Sequence, residues 1–480
     1  MRQESEKLFF EGNQFLGQGD LAAAGDCFRQ ACALQPDFAE GWANLALVLD
    51  QQGQLPQAEL AYRKAMQCGC DAFELHLNFG ALLGAQKRFA EASQAYAHAT
   101  RRNPESAALW SNLGALQLAM KQDDQARACL EKALALQSSH AKARFNLAYL
   151  HLRQGNFEEG WRCLEARDWY AGIARHLPCP RWNGEPVAGC NMLLSYEAGH
   201  GDVIQFVRYV PLLKAAGAAH ITLICHPALC TLMATLTGLD LVCPFDQKLP
   251  DRVWDYWCPL LSLPYHFQTR ADNVPAPIPY LQADPDLCAH WRARLAPRTN
   301  DAPNAGDALR VGLVWKGNPA FENDSDRSIA DLQLLEPLLG LPAIRFVSLQ
   351  KGAGETEPAA LNAGRVERGL EPYPLQALGS EMRDFADAAA IVCQLDLLIS
   401  VDTAMAHLAG ALGIPCWLLL PDYMTDWRWG DGRDGGEHTP WYPHAMRLWR
   451  QLPGGNWPEV IARIAAALPG AAPPKRTPPP

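Results

Sequence analysis

The chain has 480 residues, enough for about three domains of ordinary size, so a single small module is excluded. Its 42 Lys+Arg against 52 Asp+Glu give a formal charge of -10, the wrong sign for a protein whose main work is neutralising nucleic-acid or anionic-lipid phosphates. Hydrophobic residues at 49% and charged residues at 20% exclude wholesale disorder and fibrous architecture.

The opening stretch, MRQESEKLFFEGNQF, is polar and acidic without a basic flank and apolar core, so no secretory signal is read there. The most apolar long stretch, Leu397 to Leu420, is interrupted by Asp402, His407, Gly410, Gly413 and Pro415, so no membrane span is expected and a cytoplasmic location is the default. The 15 cysteines cannot all pair internally, which fits a reducing compartment, and Cys68-Gly69-Cys70 is too closely spaced for a CxxC clip.

The first third repeats with a period of 34. Asn44, Asn78, Asn112 and Asn146 stand 34 residues apart, inside WANLALVL, HLNFGALL, WSNLGALQ and RFNLAYLH. Ala58, Ala92 and Ala126 share a second phase, as do Ala65, Ala99 and Ala133, while Gly12, Ala24, Phe28, Ala31 and Pro36 mark an earlier unit. Small and large apolar residues in register are what pairs of stacked helices require. The pattern resembles the tetratricopeptide repeat, with units beginning near residues 5, 39, 73, 107 and 141, and it degrades after Gly160 into what reads as a capping or docking helix. A side-chain amide offers a donor pair and an acceptor in one plane, so a column of four can pair with an extended polypeptide backbone. Their recurrence is similar to the asparagine-bearing superhelix of the O-GlcNAc transferases, and the alternative role is bracing of the neighbouring helix.

From about residue 190 the texture changes to short apolar runs, Gly-rich turns and helical patterns, the signature of parallel α/β units. NMLLSYE, AGHGD and VIQFVRYVPLLKAAG read as strand, loop and a helix stopped by Gly217. A second half begins at RVGLVWKGN and runs through IRFVSLQKG to LDLLISVD, TAMAHLAGALG and IPCWLLLP. Asn273–Pro279 and Pro297–Gly306 read as hinge or linker, and the tail PGAAPPKRTPPP lacks the apolar residues to pack.

Five motifs carry a family resemblance: AGHGDVIQFVRY, GLVWKGNPAFENDSDRSIADL, FVSLQKG, DFADAAAIVCQLDLLISVDTAMAHLAGALGIPCWLLLP and DWRW. Together they resemble the ADP-heptose:lipopolysaccharide heptosyltransferase family (glycosyltransferase family 9-like), in the form that follows tetratricopeptide repeats. The resemblance covers nearly all of residues 190–465. It implies an α-solenoid followed by a GT-B fold of two Rossmann-like domains. The expected divisions are a repeat superhelix at 1–165, a linker at 166–189, an acceptor-side domain at 190–305, a nucleotide-sugar domain at 306–467 and a disordered tail at 468–480.

The same resemblance implies a metal-independent, inverting transferase that needs no cofactor, the nucleotide sugar being a co-substrate. Its base is Asp202, with His200 as rival, and the alternative role for Asp202 is capping of a helix beginning at Val203. Asp402, Thr403, Ala404 and His407 fall on the family's diphosphate-holding segment, where free amides at a helix start suit phosphate. Lys316 and Arg327 are the cationic candidates, while Trp315, Gln350, Lys351 and Trp427 are candidates to line the nucleotide pocket. The strings Asp284-Pro285-Asp286 and Asp324-Ser325-Asp326 read as solvated loops, and no metal site is expected. The expected function is sugar transfer to a polypeptide held by Asn44, Asn78, Asn112 and Asn146, as in tetratricopeptide-bearing protein and flagellin glycosyltransferases. The rivals are a transferase acting on lipopolysaccharide or another glycan and a non-catalytic adaptor. Neither nucleic acid nor membrane is an expected partner.

Overall fold

The computed structural model describes residues 2–275, 278–295, 308–342, 344–432 and 436–470. The expected linker at 297–306 and the tail beyond Gly470 lie outside the described residues, as do residues 276–277 of the first hinge segment. The chain divides into two compact units, Met1–Leu150 and His151–Pro480.

The first unit consists of helical hairpins: α1 Arg2–Gly17, α2 Leu21–Leu34, α3 Ala39–Gln51, α4 Leu55–Gln67, α5 Phe73–Ala85, α6 Phe89–Arg102, α7 Ala107–Ala119, α8 Asp123–Leu136 and α9 Ala141–Arg153, the last of which runs into the second unit. The period seen in the sequence is a structural period. Turns inside the hairpins place Gly19, Gly53, Lys87 and Lys121 at positive φ (80°, 73°, 60° and 59°), each 34 residues from the next. A left-handed residue lets the chain reverse within three residues, and glycine adopts it without the steric cost a lysine carries. The in-phase alanines Ala58, Ala92 and Ala126 are fully buried, as are Ala65, Ala99 and Ala133, because only a methyl group fits where two helices cross closely.

A second recurring device ties α3, α7 and α9 to the turn before each. The Trp42 indole N–H donates to Pro36 O at 3.0 Å and that of Trp110 to Pro104 O at 2.7 Å. At the same phase Arg144 reaches Ser138 O.

The second unit opens with α10, Phe157–Leu164, whose Phe157, Gly160, Trp161 and Leu164 are buried. The Trp161 indole donates to Thr269 O at 2.9 Å and packs edge-on to Trp427 and Trp441, so this helix docks on the α/β structure. A four-stranded parallel sheet has the order β3-β2-β1-β4, from β1 Asn191–Ser195, β2 His220–Cys225, β3 Leu241–Pro244 and β4 Tyr256–Pro259. A six-stranded parallel sheet has the order β10-β9-β8-β5-β6-β7, from β5 Leu309–Val314, β6 Ile344–Ser348, β7 Leu375–Ala377, β8 Leu397–Val401, β9 Cys416–Leu420 and β10 Met446–Arg450. Strands buried on both faces read as continuous apolar runs, and β8 and β9 are buried at every position.

The stretch VIQFVRYVPLLKAAG, read as one helix, is three: His200–Phe206, the 3-10 turn Val207–Tyr209 and Val210–Ala215, the last with Pro211 in its first turn. Proline lacks an N–H and cannot continue a helix from below, which restarts the helix at that point. Gly217 follows with φ 94° as the expected stop. Leu468, assigned to the tail from sequence, is fully buried in a terminal 3-10 turn.

In both sheets the strand order reverses beside the first strand. Reversal parts the loops at the strand carboxyl ends and opens a crevice there. Around those loops lie His200 and Asp202, in the first turn of the helix after β1, Lys316 after β5 and Asp402-Thr403 after β8.

Candidate functional site

The helix His200–Phe206 is capped by Gly199 and so begins three residues earlier than expected, and Asp202 is its third residue rather than its cap. The Asp202 Oδ2 accepts from the Gly199 N–H at 2.9 Å, while Oδ1 is ion-paired with Arg428. Burial raises the Asp202 carboxyl above its ordinary value against the opposing pull of Arg428.

Across the crevice, Thr403 caps the helix Ala404–Leu412 in extended conformation without a side-chain cap, and its hydroxyl bonds to Ser400 Oγ at 3.1 Å. The first-turn amides of such a helix have no partner within it and point outward with the positive end of the dipole. Gly201 brings the two helices together. A Cβ at that position would lie 2.8 Å from His407 Cδ2 and 3.5 Å from Ala404 Cα, so only glycine allows this approach.

One guanidinium organises the charges. Arg428, in the loop after β9, donates to both oxygens of Asp426 at 3.0 and 2.9 Å and to Gln205 Oε1 at 2.6 Å, besides its pair with Asp202. The neighbouring Trp429 indole donates to Asp402 Oδ2 at 2.8 Å and packs on His407, ring centroids 5.3 Å apart. Burial, reinforced by the negative charge of Asp426, pushes the Asp402 carboxyl up to about 6. His407 is buried with Nδ1 3.0 Å from the Tyr442 hydroxyl, and burial beside Arg428 and Arg208 holds its imidazole neutral. His200 lies at the rim, edge-on to His226 with centroids 4.7 Å apart, and burial lowers its proton affinity.

The remaining candidates have internal partners. Lys316 is ion-paired with Glu357, and Lys351 Nζ donates to the carbonyl oxygens of Gly379 and Met382. The Gln350 side chain is a brace, accepting from the Trp315 and Lys316 N–H groups at 3.0 Å each and donating to Lys316 O at 3.1 Å. Arg327 bonds to Asp324 Oδ1 at 3.0 Å and lies over the Phe321 ring. Asp324 is buried by that pairing rather than solvated as expected, and Asp284 caps the helix Pro285–Arg294. Arg428, Asp426 and Trp429 were not singled out as site residues from sequence, although the quoted DWRW string contains all three.

In the repeat unit the four asparagines fall in one register of α3, α5, α7 and α9. Asn44 Nδ2 donates to Asn13 Oδ1 at 2.7 Å, and Asn146 Nδ2 is buried with no hydrogen-bond partner among the described residues. A pocket of about 620 Å³ in the same unit is lined by Trp42, Leu45, Leu49 and Leu60 together with Arg29 and Lys64. No helix among the described residues is long and apolar enough to cross a membrane.

Asp402 yields a testable pH dependence. A carboxyl whose folded pKa lies near 6, above its unfolded value near 4, binds the proton more tightly when folded, so its contribution favours folding at low pH and is lost as pH rises through that window. Asp402→Asn removes this titration. Denaturant unfolding at pH 4 and at pH 7 should show the variant gaining about 1–3 kcal/mol on wild type between the two. A difference that does not vary with pH would refute the assignment.

Comparison with known proteins places the repeats. The TPR repeat model matches residues 12–53, and tetratricopeptide repeat models match residues 85–136 and 116–175. Protein FlbA of Caulobacter vibrioides is 29% identical over 329 residues, covering 65% of this chain and 52% of its own length, so the chain spans about half of that relative. Among solved structures, pilF of Pseudomonas aeruginosa is 26% identical over 34% of this chain and 76% of its own, with a TM-score of 0.31. YrrB, described as a TPR protein with an unusual peptide-binding site, is 17% identical over 35% of this chain and 91% of its own, with a TM-score of 0.30. The chain therefore carries N-terminal tetratricopeptide repeats, a scaffold suited to a peptide or protein partner, ahead of a parallel-sheet α/β region.

Proposed function

We propose that the α/β unit is a metal-independent GT-B glycosyltransferase of the heptosyltransferase-like type, moving a sugar from a nucleotide-sugar donor to a hydroxyl of a polypeptide recruited by the repeats. One observation carries the reading: Gly201, next to Asp202, packs against Ala404 and His407, next to Asp402-Thr403, so the starts of two helices come together beside the switch points of two parallel sheets. In this reading the donor diphosphate takes the free amides at Thr403, Ala404 and the following residue, with Arg327 close enough to act on Asp402. Asp202 then accepts the proton of the acceptor hydroxyl. Asp324, already neutralised by Arg327, is not available as half of a metal-holding carboxylate pair.

The test is thermal denaturation of the full chain in chelator with ADP, UDP, GDP or CMP. A ligand bound only by the folded state raises its stability by about 2.7 kcal/mol at a hundred times its dissociation constant, so at least one nucleotide should raise the melting temperature without metal. Four flat responses at millimolar concentration would overturn the donor site.

The acceptor half is tested separately. Asn78→Ala with Asn112→Ala should weaken polypeptide capture by about 0.5–1.5 kcal/mol per lost hydrogen bond while donor hydrolysis continues. Unchanged capture by the double variant would reduce the column to helix bracing.

A further inference from the structure

The repeat supplies its own control for a cluster outside the α/β unit. At one phase three acids recur, Asp37, Asp71 and Glu105. Five residues later the neighbours carry Trp42 and Trp110, and a further 22 residues on they carry Lys64 and Lys132. In the last of these units Lys132 Nζ lies 3.7 Å over the Trp110 ring, a cation–π pair made of groups that only donate. The middle unit departs at both positions together, with His76 and His98. Two side chains with no lone pair to offer are replaced by two imidazoles, beside an acid that was already present.

The geometry matches the change in chemistry. His76 Nε2 lies 2.7 Å from Asp71 Oδ1, and the rings of His76 and His98 stack with centroids 4.9 Å apart. One ligating atom from each of the three residues lies within 4.8 Å of the others. Around a tetrahedral ion with bonds of about 2.0–2.2 Å, ligand atoms stand about 3.4 Å apart, so modest rotation of the exposed Asp71 and His98 side chains closes the set. Arg102 pairs with the second oxygen of Asp71 and orients the carboxylate, and Arg101 is the other nearby cation.

We propose that Asp71, His76 and His98 form a binding site for a borderline divalent transition-metal cation, represented by Zn2+. Two imidazoles and one carboxylate are the ligand types such an ion prefers, and three protein ligands leave a fourth position for water or a partner's side chain. The ion would join the α4–α5 turn, the first turn of α5 and the last turns of α6 into one clamp.

The experiment uses the full chain and His98→Lys, which restores the residue that both neighbouring units carry and so keeps the helix packing. Co2+ absorption and Zn2+ titration calorimetry are read against melting in chelator. Wild type should bind one equivalent of Co2+ with a nitrogen/oxygen ligand-field spectrum, and His98→Lys should lose that equivalent together with the Zn2+-dependent rise in melting temperature. Should His98→Lys melt early in chelator, the double variant His76→Trp/His98→Lys recreates the neighbouring pair and must show the same loss. Equal stoichiometry and spectra in wild type and variant would overturn the site. So would a thiolate-to-metal charge-transfer band on the sole bound equivalent, which assigns the ion to cysteine.

Discussion

Arg428→Met should destabilise the α/β unit by about 3–5 kcal/mol, the cost of removing one partner from a buried charge cluster. The guanidinium is 9% exposed, pairs with Asp202 and Asp426, bonds Gln205 and lies 4.6 Å from the Trp427 ring centre. Methionine refills most of the volume and keeps the aromatic contacts, so a packing defect alone costs less than about 1.5 kcal/mol. The excess is electrostatic, because the half-buried Asp202 and Asp426 are left near Asp402 with their shared cation gone. Two consequences separate this from packing. Adding Asp202→Asn to the Met variant should recover part of the loss, and lowering the pH towards 5 should recover more, since carboxyls with raised folded pKa values favour folding on the acid side. A loss that is small, or that neither change relieves, would show that the cluster does not depend on this cation.

What the sequence made legible follows the range of each interaction. The 34-residue period placed α3 to α9 because a solenoid unit contacts only its neighbours, so each helix pair leaves its pattern locally. Apolar runs ending in Gly-rich turns located β1, β5 and β8, and therefore the loops holding Asp202, Lys316 and Asp402. Pairing across the fold left no such mark. The Arg428–Asp202 contact spans 226 residues, and the brace from Gln350 to the Trp315 and Lys316 amides joins two strands. From sequence Lys316 and Lys351 are simply cations at loop positions, and only the folded chain shows one against Glu357 and the other against two carbonyl oxygens. The missed residues share a cause: Asp426, Arg428 and Trp429 sit in a loop after β9 whose composition is ordinary, and their roles come from distant partners, Asp202 and Gln205 after β1 for Arg428 and Asp402 and His407 after β8 for Trp429.

Asp202→Asn should lower sugar transfer by about 10²–10⁴-fold with donor affinity little changed, the range that positioned proton transfer contributes. The amide keeps one oxygen, which can accept from Arg428 or from the Gly199 N–H but cannot replace both Oδ1 and Oδ2, so one contact is retained while the other and the proton-accepting charge are lost. Arg428 holds the carboxylate in place but also competes with the acceptor for it, which makes burial, the influence raising its proton affinity, the feature that equips it as a base. Two neighbours test the choice. His200→Ala removes an imidazole whose proton affinity burial lowers, and Asp402→Asn removes a second carboxyl, held near 6. The readout is sugar incorporated into protein acceptor, with nucleotide affinity measured on the same samples. Wild-type transfer in a folded Asp202→Asn protein, with transfer abolished in either neighbour variant, moves the base to that neighbour. A loss in Asp402→Asn accompanied by weaker nucleotide binding instead assigns that residue to the donor, which leaves Asp202 as the only carboxylate whose removal slows chemistry without loosening the ligand.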